Sequence, residues 1–327
     1  MTKIVHYCAS SYGTGSVGGV ARFDDHIKRA FPKRTFFSPR DIRRMHNYLQ
    51  NNREAIVITD NHLSCHIPNE IKTIIFHHGC GLTTWERNYK NDPNGLGFYN
   101  SFARPQEQML SYRNPKNTII ATISTACTED FTRYYGDKYT QFNRYNMFHT
   151  SEFDESKYKT TFNKSPVVLG NWLNRKKGAE LLPSLKSNIK DFTFKQLDIK
   201  PLSLTEEHLN EFTCKKQEIY NSADIFLQIS NSEGNAYATL DALACGLPIV
   251  ASNVGLFYKD VPEDCFVKLD WQRNNDEEYV RSKLLYAWEN RETLSKNARN
   301  WYLKNYRYDD WLVKIRDLVD NFSNTKL

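Results

Sequence analysis

Residues Ser232–Ser252 read SEGNAYATLDALACGLPIVAS. Two carboxylates, Glu233 and Asp241, stand either side of a glycine and small residues, and an apolar run follows Pro248. Gly234, Asn235 and Ala236 let a ligand approach the backbone closely. A helix that starts near Ala236 points its free N–H groups at such a ligand, and its dipole favours an anion there. Asp241 then sits about one and a half turns further along. A loop that runs into a helix in this way suits a phosphate and a sugar, and it predicts an α/β fold.

Working outward, short β-rich apolar runs recur on both sides. The first series is 4–9, 35–37, 55–59, 73–76, 118–123 and 145–148; the second is 167–169, 192–197, 225–229, 248–251 and 265–269. Their apolar residues are continuous rather than alternating, as in strands buried on both faces. Longer polar or helical stretches separate most of them, which implies two parallel, doubly wound sheets. The polar stretch 157–165 is the expected boundary. The tail is helical, and Trp311, Ile315, Leu318, Val319 and Phe322 share one face of its last helix.

Composition agrees with this. A chain of 327 residues exceeds what one core usually serves, so two domains are expected. The 40% hydrophobic and 25% charged residues are ordinary for a globular protein, and the net charge of +6 is modest. Seven scattered cysteines, with no CxxC and no metal-ligand spacing, read as reduced thiols of a cytoplasmic protein. The start KIVHYCAS is too short and polar for a signal peptide, and no apolar run approaches the ~20 residues of a membrane span. Basic charge gathers in 28–44 (Lys28, Arg29, Lys33, Arg34, Arg40, Arg43, Arg44), which suits a solvated surface or peripheral contact with an anionic membrane or glycan. No nucleic-acid-binding pattern is present.

The segment from about Pro166 to Leu269 resembles the retaining glycosyltransferases of family 4, which have the GT-B fold. The family's signature is a Glu, seven residues, a second acidic residue, an Ala, a small apolar run, a Gly and a Pro-Val-Val-like strand. Here these are Glu233, Asp241, Ala242, Gly246, Pro248, Ile249 and Val250. The resemblance implies that Glu233 binds hydroxyls of a donor sugar and that N–H groups around Gly234, Asn235, Ala236 and Tyr237 bind its diphosphate. Asp241 would accept bonds from the ribose, although the family usually has Glu there, one methylene longer. Upstream, the segment from Val168 to Gly178 resembles the family's first C-terminal-domain strand and loop. Lys177 matches a family lysine, whereas Asn171 stands where the family has Arg. Arg175 or Lys176 from the same loop would supply the missing charge beside the leaving diphosphate.

Upstream, Gly13, Gly15 and Gly18 make a GxGxxG between a strand and a helical stretch, with Asp41 near the place of a ribose-binding acid. That spacing alone supports an NAD(P)-dependent oxidoreductase. The family uses a Gly-Gly pair here, which Gly18 and Gly19 match. His77 and His78 end a predicted parallel strand, where open α/β sheets bind ligands. The family places a His there against the donor sugar, and His78, closer to the loop, is the better candidate.

The resemblance implies two Rossmann-like domains facing across a cleft. They would be an acceptor-side domain (1–160) and a nucleotide-sugar domain (161–300), with a helix, 301–327, returning to the first. The implied activity is metal-independent hexosyl or deoxyhexosyl transfer, with retention, from a nucleotide-diphosphate sugar to a glycan or lipid-linked acceptor. No Asp-x-Asp is present to hold a metal, and the resemblance implies that no cofactor is required. The alternatives are the oxidoreductase, a non-catalytic GT-B-like binder of glycan or nucleotide, and a sugar phosphorylase or nucleotide-sugar epimerase. Thermal-shift measurements separate the first: stabilisation by one of UDP, GDP and ADP, and none by NAD, is expected. Stabilisation by NAD alone would establish the oxidoreductase.

Overall fold

The computed structural model describes residues 2–12, 15, 18–93 and 95–325. The chain divides into two compact units, Met1–Phe148 with Asp309–Leu327, and His149–Tyr308. In the first, the strands are β1 (Ile4–Tyr7), β2 (Thr35–Phe37), β3 (Ile56–Asp60), β4 (Thr73–His77), β5 (Thr118–Thr122) and β6 (Asn143–Asn146). Between them run α1 (Gly19–Ala30), α2 (Ile42–Gln50), α3 (Gly81–Asn88), α4 (Gly95–Phe98), α5 (Arg104–Tyr112), α6 (Thr125–Tyr135) and α7 (Asp137–Thr140). The second unit has β7 (Val167–Gly170), β8 (Thr193–Gln196), β9 (Ile225–Gln228), β10 (Ile249–Ser252) and β11 (Val267–Leu269). Its helices are α8 (Leu182–Asn188), α9 (Glu206–Ser222), α10 (Tyr237–Cys245), α11 (Leu256–Lys259), α12 (Glu277–Glu289) and α13 (Arg291–Asn305). The final helix is α14 (Tyr308–Asn324).

Each unit holds one parallel sheet. The orders are β2-β1-β3-β4-β5-β6 and β11-β10-β9-β7-β8, with every pairing parallel. All eleven predicted strands are present, with ends shifted by up to two residues. Most are buried on both faces, as continuous apolar runs require, but the edge strand β6 is exposed along its length. The second core joins Val168, Ile225, Leu227, Val250 and Leu269 to Leu284 and Ala287 of α12.

Helix α14 belongs with the first unit. Trp311, Ile315, Leu318, Val319 and Phe322 are its buried face. The Trp311 indole N–H donates to the Phe148 carbonyl (2.8 Å), and Arg316 Nε donates to the Ala30 carbonyl (3.1 Å). Lys72 Nζ donates to the carbonyls of Phe322 and Ser323 (2.9 Å each), so a cation meets the negative end of the helix.

The second unit's lead-in segment is tied to β9 by one carboxylate. Asp224 accepts from Lys159 Nζ (2.9 Å), from the Asn163 backbone and side-chain N–H groups (2.9 and 2.8 Å) and from the Val167 N–H (2.8 Å). Both members of the Asp224–Lys159 pair are buried. Burial alone would raise the Asp224 pKa, but the Asn163 N–H, Lys159 and the other donors outweigh it and hold the carboxyl below its ordinary value. A lowered folded pKa means the contribution is complete above the ordinary aspartate range and is lost as pH falls through the folded value. Asp224→Ala strands a buried lysine and should cost about 3–5 kcal/mol in urea unfolding. A loss under about 1 kcal/mol, the size of a single ordinary hydrogen bond, would show that the pair does not form.

Candidate functional site

In the second unit the chain leaves β7 at Gly170 and makes a basic turn, Arg175–Lys177, before Gly178. Asn174 caps that turn, its side chain accepting from the Lys177 N–H (3.2 Å). Gly178 has φ +79°, and a Cβ there would lie 2.6 Å from the Ile229 side chain. The turn can therefore lie against the end of β9, where the Asn231 N–H donates to the Lys176 carbonyl (3.0 Å).

That contact sets two cations beside Glu233. Lys176 Nζ is 3.7 Å from one carboxylate oxygen, Lys177 Nζ is 3.7 Å from the other, and the Ser230 hydroxyl donates at 3.1 Å. The Glu233 side chain is 8% exposed. Burial would raise its pKa, but Lys176, Lys177 and the Ser230 bond outweigh that and hold the carboxyl below the ordinary glutamate range. Glu233 is thus an ionised acceptor at neutral pH. Arg175 turns elsewhere, its Nε 3.8 Å from the Glu180 carboxylate, so Lys176 is the cation that joins Lys177 at Glu233.

Helix α10 begins at Tyr237 after Ala236, which supplies no side-chain cap. A helix start is a place where backbone N–H groups and the helix dipole favour an anion; here the Thr239 N–H closes the first turn on the Ala236 carbonyl (3.0 Å). Ala236, Ala238 and Thr239 line one pocket with Asn171, Trp172, Lys177, Ser230 and Glu233. Asn171 Oδ1 and the Trp172 indole N–H are buried there without hydrogen-bond partners. Asn235 and Gly234 are buried beside the pocket, and the Tyr237 ring stacks on His149 with centroids 4.7 Å apart.

Asp241 is placed differently from Glu233. Its side chain is fully buried, accepting from Ser151 Oγ (2.6 Å) and Lys216 Nζ (2.6 Å), and it is not among the residues lining the pocket. The shorter aspartate keeps its carboxylate against α9, which carries Lys216. The contributions of Lys216 and Ser151 were not visible in the sequence. Neither was that of Gly255, with φ +56°, where a Cβ would lie 2.6 Å from the Gly234 carbonyl and 3.1 Å from Glu233 Cβ. The one signal for it was a glycine following the strand after Pro248.

In the first unit, Gly18 is the N-cap of α1 and Gly19 its first residue. Gly15 has φ +83°, while Gly13 of the GxGxxG lies outside the described residues. Asp41 accepts from the Ser38 N–H and hydroxyl (3.2 and 2.8 Å) in a capping box, so the residue offered as a ribose-binding acid is occupied locally. Of the two histidines, His77 is fully buried edge-on to Phe131, with centroids 4.2 Å apart, and burial, then the charges of His78 and His62, push its pKa down to about 3. His78 is partly exposed, and its Nε2 lies 2.9 Å from Asp60 Oδ1. Within the basic segment Arg29, Arg34 and Arg44 pair with Asp25, Asp24 and Asp41. No helix among the described residues is long and apolar enough to cross a membrane.

Residues 208–301 match the family model of glycosyl transferases group 1, a segment that holds α10 and Glu233. The whole fold is similar to sucrose-phosphate synthase from Thermosynechococcus elongatus (TM-score 0.71, 14% identity, 98% of this chain and 99% of that one). It is also similar to Anabaena HepE, solved in complex with UDP (TM-score 0.68, 12% identity, 98% and 100%). A glycosyltransferase from Rickettsia africae gives a TM-score of 0.62 at 14% identity (99% and 100%). No curated protein matches in sequence. At these identities the structural likeness establishes the fold, which is GT-B.

Asp241 is bonded to Ser151 and Lys216 within its own unit. Asp241→Ala should cost about 3 kcal/mol in chemical unfolding, because it leaves Lys216 without its partner. Unchanged stability with weakened nucleotide binding would instead make Asp241 a ligand contact alone.

Proposed function

We propose that this protein is a glycosyltransferase that moves a sugar from a nucleotide-diphosphate sugar to a hydroxyl of a glycan or glycoconjugate. The observation that carries this reading is one pocket lined by an ionised Glu233, Lys177 and the start of α10, with Lys176 on the other oxygen of Glu233. A carboxylate with no proton to give accepts bonds from sugar hydroxyls. Lys176, Lys177 and the α10 N–H groups carry positive charge for a diphosphate. The match of residues 208–301 to glycosyl transferases group 1 supports the same reading. Because HepE, similar in fold, was solved with UDP, uridine diphosphate is the first nucleotide to test.

The chemistry proposed is transfer with retention. The bond between the anomeric carbon and the phosphate oxygen breaks as the acceptor oxygen bonds on the same face. The acceptor's proton passes to the departing phosphate oxygen. Negative charge grows on the leaving diphosphate, and fixed cations already in place stabilise it. No metal is required at this pocket on that route. His78 is assigned to the sugar near the reacting carbon, and Gly18 and Gly19 to close approach of ligand to backbone. Asn171, Gly234, Asn235, Ala236 and Tyr237 contribute to donor binding. Arg175, directed at Glu180, contributes at most long-range charge. Asp241 positions α10 rather than touching the ribose. The remaining cations of segment 28–44 suit an anionic acceptor or membrane surface.

The test is turnover with a UDP-sugar panel, and with GDP- and ADP-sugars if these fail. Lys177→Ala and Glu233→Ala should each lower kcat by about 10²–10³-fold while leaving thermal stability in place. If both variants turn over like the wild type with the true donor, the pocket is not the donor site.

A further inference from the structure

The carboxyl edge of the first sheet gathers a second set of functional groups. Val5 and Tyr7 of β1 point into the apolar cluster with Phe37, Met45 and Leu49. By strand alternation His6 and Cys8 point the other way. His6 pairs with Ile58 across the β1–β3 ladder, so two residues on, Cys8 is level with Asp60 on the same face. His6 and Cys8 are fully buried and Asp60 is 4% exposed. One donor atom from each lies within 4.8 Å of the other two.

The polar partners of this trio are incomplete. His6 Nδ1 lies 2.8 Å from Asp24 Oδ1, and the same oxygen accepts from Arg34 Nη2 at 2.8 Å. A carboxylate held by a guanidinium is an acceptor, which makes Nδ1–H the donor; in the neutral ring Nε2 then carries the lone pair. Arg34 Nε is 3.4 Å from Nδ1, too far to compete with the 2.8 Å contact. Nε2 is buried with no partner. Asp60 binds His78 through Oδ1, and its Oδ2 is buried with no partner. Cys8 Sγ donates to the Ser10 carbonyl at 3.1 Å and also lies within hydrogen-bonding reach of the Asp60 carboxylate. With the ring neutral, His6 Nε2 and Asp60 Oδ2 are both acceptors and cannot bond each other, and a buried acceptor without a donor is costly.

We propose that His6, Cys8 and Asp60 bind one thiophilic divalent cation of the zinc type. Imidazole nitrogen, thiolate sulfur and carboxylate oxygen are the donor set zinc takes, and three protein ligands leave a fourth position open. Asp24 completes a carboxylate–histidine–metal relay, orienting the ring through Nδ1. Binding releases the Cys8 thiol proton, so the cation's two positive charges are balanced by one thiolate and one carboxylate. The site draws all its ligands from the first unit and does not depend on the transferase reading.

The test uses the full chain, stripped with chelator, in a Cys214→Ser background because Cys214 is an exposed thiol. Zinc titration against a chromophoric chelator should show one equivalent bound with release of one proton. Cobalt should give visible d–d bands of a tetrahedral site and a thiolate charge-transfer band. Cys8→Ser should remove the charge-transfer band, and Asp24→Asn should weaken binding by about 10–100-fold. Substoichiometric zinc binding by the folded parent overturns the proposal, as does an unchanged cobalt spectrum in Cys8→Ser. Should Cys8→Ser not fold, absence of the charge-transfer band from the parent overturns it equally, with a buried water then bridging the three side chains.

Discussion

Lys216 and Ser151 close on the Asp241 carboxylate, and the placing of α10 follows from that contact. Every residue of α10 is buried. A helix that is apolar on all sides has no preferred face, so burial alone leaves it free to turn about its axis. Asp241 is the one charged side chain between Tyr237 and Cys245, and a buried charge tolerates no loss of its partner. The pair therefore fixes rotation and depth together. Gly255 sets the other limit, pressing close behind Gly234 where no side chain fits. Between those two constraints the start of α10 and Glu233 meet the Lys176–Lys177 turn.

The fold was legible because its signal is carried locally. Continuous apolar runs separated by helical stretches can be buried only as parallel strands covered on both faces, and all eleven appear. Strand β6 departs because an edge strand has only one neighbour, and its polar residues Asn143, Arg144 and Asn146 face solvent. The local settings of Glu233 and Lys177 were also legible, since the turn and the helix start that carry them are short-range features. What the residues alone could not give was direction. Arg175, Lys176 and Lys177 are adjacent in sequence, yet the 3-10 turn sends the first to Glu180 and the other two to Glu233. Asp241 likewise reads as the companion of Glu233 by spacing, while Ser151 and Lys216, which bond to it, come from far upstream segments that spacing cannot connect.

The same reasoning explains why the His6–Cys8–Asp60 trio escaped notice. His-x-Cys in a strand places two ligands on one face, a signal the sequence does contain, but the third ligand arrives only through the β1–β3 register. Counting cysteine spacings therefore could not find it. The two units also handle buried carboxylates in contrasting ways. In the second, Glu233, Asp241 and Asp224 each meet a lysine from their own unit, and every charge is answered within the protein. In the first, Asp24 is answered by Arg34 and His6, but Asp60 meets the imidazole of His78 on one oxygen, with the Cys8 thiol beside it. A single contact from an imidazole offsets less of a buried negative charge than the permanent charge of a lysine does. Asp60 is therefore the carboxylate here whose surroundings most favour a positive charge brought from outside.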